Sequence, residues 1–143
     1  MLRVLAAGLV VAMMLAAHGV ANAAPSFQPG QMWTVKDSGI RIVVGRIDPF
    51  TDGKIAVSVS VFDVPCPPSM GCATTVVAHA PFDGETLAKS VDRLIGTDAK
   101  TAPEFEHGYA NWQQARGGIF TVPVSQLPDL LFKAMQSGER HPS

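Results

Sequence analysis

Residues 54–63 alternate without a break. Ile55, Val57, Val59 and Val61 face one way, and Ala56, Ser58 and Ser60 face the other. That period of two is what a half-buried antiparallel strand requires. Residues 40–47 carry apolar side chains at both parities, which predicts a strand lying centrally in a sheet. Asp48-Pro49 and Asp52-Gly53 bracket a tight hairpin connection between these two runs. Residues 32–36 predict a first strand that turns at Asp37-Ser38-Gly39. Residues 25–31 read as an extended lead-in, with Phe27 and Met32 to pin it. Residues 74–80 are the predicted partner of the alternating strand.

After Pro81 the period becomes helical. Asp83 is placed to cap a helix in which Leu87, Val91, Leu94 and Ile95 recur at i, i+4, i+7 and i+8, up to Gly96. Thr101-Ala102-Pro103-Glu104 has the form of a capping box. Phe105, Tyr109 and Trp112 then recur at i, i+4 and i+7, and Gly117-Gly118 ends that helix. Residues 119–122 predict a short strand. Ser125 starts a last helix whose buried face is Leu127, Leu130, Leu131, Ala134 and Met135. The order β-β-β-β-α-α-β-α predicts an α+β fold, an antiparallel sheet of about four to five strands packed on one side by about three helices. Alternating βαβ units are absent, which argues against a doubly wound nucleotide-binding fold.

The first residues follow a different rule. Arg3 precedes an uncharged apolar run over residues 4–17, and Ala21-Asn22-Ala23 offers a small-x-small cleavage pattern ahead of Pro25. This reads as an export signal over residues 1–23. The run is shorter than the roughly 20 residues of a bilayer span, so a cleaved leader is expected rather than an anchor, with no stable membrane insertion afterwards. No cysteine stands at the cleavage point, which disfavours a lipid-modified protein. Residues 24–143 then form one globular domain with an ordered core over about 29–137, and the protein is periplasmic or secreted.

Composition narrows the function classes. Losing Arg3 leaves one fewer than 11 basic residues against 12 acidic ones, and the basic residues are scattered. A general nucleic-acid binder needs clustered Lys and Arg, so no nucleic-acid partner is expected. Cys66 and Cys72 enclose Pro67-Pro68-Ser69-Met70-Gly71. In an oxidising compartment a disulfide is the leading reading of such a pair. The spacing is not C-x-x-C, and no His or Cys pair lies at finger-like spacing, so neither redox catalysis nor zinc is expected. No cofactor is implied.

Outside the leader the histidines are His79, His107 and His141. His79 has Asp83 four residues on, and such a pair can orient a general base, but a base needs a nucleophile. No G-x-S-x-G elbow supplies one. Glu104 and His107, at i and i+3, read as a solvated helix face. Tyr109 and Trp112 form a candidate interaction surface with His107, because aromatics supply large contact area at low entropic cost. Their helical spacing with Phe105 equally describes a core stripe.

Pro29-Gly30-Gln31-x-Trp33, residues 42–48, His79-Ala80-Pro81-Phe82, Ser90-Val91, Gly108-Tyr109-x-x-Trp112 and Gly118-Ile119-Phe120-Thr121 occur in this order. The set resembles a group of small, uncharacterised exported bacterial proteins. That resemblance implies a single domain from about Pro29 to Val124 or further, and transfers no catalytic residue. The expectation is a non-catalytic binding or interaction protein of the cell envelope, with an immunity or inhibitor protein as one specific form. A small periplasmic hydrolase using His79 or His107, and a structural accessory of an envelope assembly, are the alternatives.

Overall fold

Residues 26–138 are described by a computed structural model of the chain. The leader expected over residues 1–23, and His141, lie outside these residues. Five strands form one antiparallel sheet: β1 (Met32–Val35), β2 (Arg41–Pro49), β3 (Ile55–Pro65), β4 (Thr74–Asp83) and β5 (Val91–Gly96), in the order β4-β3-β2-β1-β5. Three helices accompany it: α1 (Gly84–Ser90), α2 (Phe105–Gln114) and α3 (Leu127–Gly138). The fold is therefore α+β. Among the described residues no helix is long and apolar enough to cross a membrane.

Strand β3 carries the core. Val57, Val59 and Val61 are buried with Ile42, Val44, Phe82, Leu87, Val124 and Leu127 on one face of the sheet. The half-buried strand predicted from the alternation is instead buried on both faces, because Ala56, Ser58 and Ser60 are covered too. Phe105, Tyr109 and Ala102 supply that second cover. The helices are thus shared between the faces, with α1 and the start of α3 on the valine side and α2 on the serine side. Small residues at 56, 58 and 60 let a helix and its lead-in approach closely, which period-two alternation does not distinguish from exposure to water.

Two buried serines hold the loops in place. Ser60 Oγ donates to the Ala78 carbonyl at 2.8 Å and accepts from the Ala102 amide at 2.9 Å. This docks the segment before α2 onto the sheet, and α2 begins only at Phe105, with Glu104 at its cap and no side-chain cap bond. The capping box expected at Thr101 does not form, because the helix starts four residues further on and Thr101 lies in the lead-in rather than at the cap. Ser90 Oγ similarly donates to the Thr86 carbonyl and accepts from the Val124 amide.

The helix predicted through Gly96 stops at Ser90, and the remainder is the edge strand β5. Asp83 caps α1 as expected, accepting from the Thr86 amide. The Ser90 carbonyl is then claimed by the Lys36 amide at 2.9 Å, and Val91 pairs with Val35. Pairing with β1 overrides the helical spacing, and leaves Leu94 and Ile95 exposed. Residues 119–122 form only a single parallel bridge, Phe82 to Phe120, instead of a strand. In α3, Leu127 is buried and Leu130 and Leu131 are half-buried, whereas Ala134 and Met135 are exposed. The chain turns into α3 at a 3₁₀ turn over Val124–Gln126.

Cys66 and Cys72 form a disulfide at the tip of the β3–β4 hairpin. A 3₁₀ turn over Pro68–Met70 fills the loop, and Gly71 takes a left-handed conformation at φ 66°. Met70 is exposed there.

Candidate functional site

A bulge in β2 sets the geometry of the serine-side face. Val44 pairs with Val59 and Arg46 with Ser58, so Gly45 is the extra residue. The bulge keeps Ile47 opposite Val57 and re-aims Arg46 and Asp48 toward α2. Any side chain at Gly45 would run into the Phe105 ring. Glycine at this position therefore lets α2 lie close to the sheet.

His79 stands at the centre of the aromatic cluster that results. Its ring centroid is 5.5 Å from Phe105, 5.9 Å from Tyr109 and 5.8 Å from Trp112. A Cβ at Gly108 would approach His79 Cβ to 2.7 Å, and one at Gly117 would strike the Trp112 indole. Three glycines thus make room for three rings. Burial pushes the His79 imidazole below its usual range, and its Nε2 lies 3.0 Å from Ser58 Oγ. Asp83 is occupied in capping α1, so the His79–Asp83 pair suggested by the sequence does not form.

Polar groups tie the cluster's rim together. Tyr109 Oη donates to Asp48 Oδ2 at 2.8 Å and accepts from Gln113 Nε2 at 2.8 Å. Burial, followed by the neighbouring Asp48, raises the Tyr109 phenol above its ordinary value. The Arg46 guanidinium lies 4.7 Å from the Tyr109 ring centroid and donates to Glu106 at 2.9 Å. Both members of that ion pair are well exposed, so it orients Arg46 and contributes little stability.

Beyond Tyr109 the cluster opens into a groove of about 510 Å³ between α2 and the end of β2. Phe50 and Trp112 line it as a near-parallel pair, centroids 6.4 Å apart and planes 17° apart. Trp112 Nε1 donates to the Gly118 carbonyl at 2.9 Å, which fixes the indole. Asp48, Thr51, Gln113 and Arg116 stand around the pair. Arg116 adopts φ 49° at the end of α2 and has no ion-pair partner among the described residues. A larger hollow of about 610 Å³ lies toward the valine side, against Phe27, Ile47 and Ile55. Ser26, Asp52, Lys54 and Glu85 give it polar groups, but Phe27 is its single aromatic ring, so it has no aromatic pair.

The residues singled out from sequence therefore separate. Tyr109 is buried, Trp112 is half-buried at the groove, and His107 is exposed elsewhere on α2. Sequence reasoning missed Phe50, Asp48 and Arg46, whose place beside α2 depends on the bulge at Gly45. It read Gly117-Gly118 as a helix stop. The helix ends earlier, at Gln114 with Ala115 as its C-cap, and Gly117 instead accommodates Trp112. Among the described residues no three His, Cys, Asp or Glu side chains stand together as a metal site requires.

Chemically, the site can grip more readily than it can react. Ser58 and His79 have the separation of a nucleophile and its base, but Ser58 is wholly buried, so no substrate carbonyl can reach its hydroxyl. No protein-family model, curated protein or solved structure matches the chain.

Proposed function

We propose that this chain is a non-catalytic binding domain exported to the bacterial cell envelope, and that its partner is held in the groove between α2 and the end of β2. The observation that carries this reading is the near-parallel Phe50–Trp112 pair lining the groove, with the Trp112 indole fixed by its bond to Gly118. A rigid aromatic surface ringed by a few polar groups is a common form of binding site, because little side-chain entropy is lost on contact. The burial of Ser58 supports recognition over hydrolysis. The leader pattern and the Cys66–Cys72 disulfide support an oxidising, extracytoplasmic location.

The test is affinity capture from periplasmic extract with the protein immobilised, beside the Trp112→Ala and Phe50→Ser variants. The expected result is an envelope component retained by the parent and reduced about tenfold by either variant, a change of about 1.4 kcal/mol. Capture that is equal for all three proteins overturns the assignment of the groove. Turnover of a retained component by the parent protein overturns the non-catalytic reading.

A further inference from the structure

We infer that the groove recognises a saccharide chain of low net charge, with a pyranose ring packed against the aromatic pair, Phe50 and Trp112, that lines it. The inference rests on the groove being the binding site and names what it holds. The apolar face of a pyranose presents weakly positive C–H groups, and the face of an aromatic ring is negative, so the two attract when laid flat. Trp112 is held for such contact: its indole N–H is committed to Gly118, and Gly117 lies flush against the ring.

The polar groups beside the pair match a ring of hydroxyls. Asp48 uses Oδ2 for Tyr109, which leaves Oδ1 to accept. Gln113 uses Nε2 for the same phenol, which leaves Oε1 to accept. Arg116 supplies donors, and Thr51 both donates and accepts. One carboxylate and one guanidinium face the groove, so its formal charges balance and a highly charged ligand gains little. A peptide added as a strand is disfavoured because β2 is paired on both sides, with β1 and β3, and offers no free edge here.

The test is a titration of the ¹⁵N-labelled protein with tetramers of β-1,4-linked N-acetylglucosamine, α-1,4-linked glucose and β-1,4-linked glucose, followed through the Trp112 indole and Gln113 amide signals. At least one tetramer is expected to shift both saturably. Arg116→Gly is the most informative variant, because its φ of 49° suits glycine, so the side chain is lost without strain. It should keep or raise the melting temperature and weaken the saccharide about tenfold, and Phe50→Ser should weaken it similarly.

If no tetramer moves these signals at millimolar concentration, the saccharide inference falls. It falls equally if the shifts cluster at Phe27 and Ile47 rather than at Trp112. If a captured protein or peptide moves the Trp112 signals where no saccharide does, the ligand class is overturned and the groove remains the binding site. Saturable binding at Trp112 with shortening of the tetramer keeps the ligand class and overturns the non-catalytic reading.

Discussion

The Tyr109 hydroxyl donates to Asp48 across 2.8 Å and joins α2 to the end of β2, sixty-one positions apart in the chain. The bond ties the two walls of the groove together beside the close approach that Gly45 allows. Tyr109→Phe removes it together with the bond from Gln113, and urea denaturation should show a loss of about 1–2 kcal/mol. Tyr109 is the single tyrosine of the chain, so ultraviolet titration reports it without ambiguity. Its phenol should titrate above the ordinary value, and Asp48→Asn should bring it down, because removing the carboxylate's charge eases ionisation. A phenol that does not respond to Asp48→Asn would show that the contact is not kept in solution.

Gly108 lies inside α2, where alanine ordinarily adds up to about 1 kcal/mol of stability. Here the added methyl would meet the His79 Cβ at 2.7 Å, and overpacking of this kind costs about 1–3 kcal/mol. The clash should win. Gly108→Ala is expected to lower the melting temperature, whereas Gly118→Ala, which meets nothing within 4 Å, should change it little. A stabilised Gly108→Ala would contradict the close packing of His79 on α2.

His79 makes stability depend on pH with a definite sign. Burial holds its folded-state pKa below the unfolded value of about 6.5. The unfolded chain therefore binds the proton first, and stability is lost as pH falls from about 6.5 through the folded pKa. The neighbouring charged groups are Arg46 and Asp48, which reach His79 only through Tyr109. Urea midpoints measured above and below this window should differ less for His79→Gln than for the parent. Equal slopes for the two proteins would assign the pH dependence to other groups.

Reduction of the Cys66–Cys72 disulfide frees a loop with a sequence separation of 6. Chain entropy for so short a loop is worth about 2–2.5 kcal/mol. The reduced protein should unfold at lower urea with its circular dichroism otherwise intact, because the loop lies at the hairpin tip, outside the core. Loss of the sheet signal on reduction would mean that the hairpin depends on its tip.

The amino-acid pattern by itself determined the antiparallel sheet, the three helices, the cap at Asp83 and the cysteine pair. Each depends on residues close in the chain: alternation over 54–63, helical spacing from Phe105 to Trp112, and two cysteines around a short loop. Only the tertiary structure decided that Ser58 and Ser60 face a helix rather than water, since alternation records a change of face and not what covers it. Pairing with β1 likewise turned residues 91–96 into a strand, because the Lys36 amide takes the Ser90 carbonyl. The groove belongs wholly to this second kind of information. Phe50 and Trp112 meet because Gly45 bulges beneath Phe105, Gly108 gives way to His79, and Asp48 reaches Tyr109, and each of these contacts joins segments that no local pattern relates.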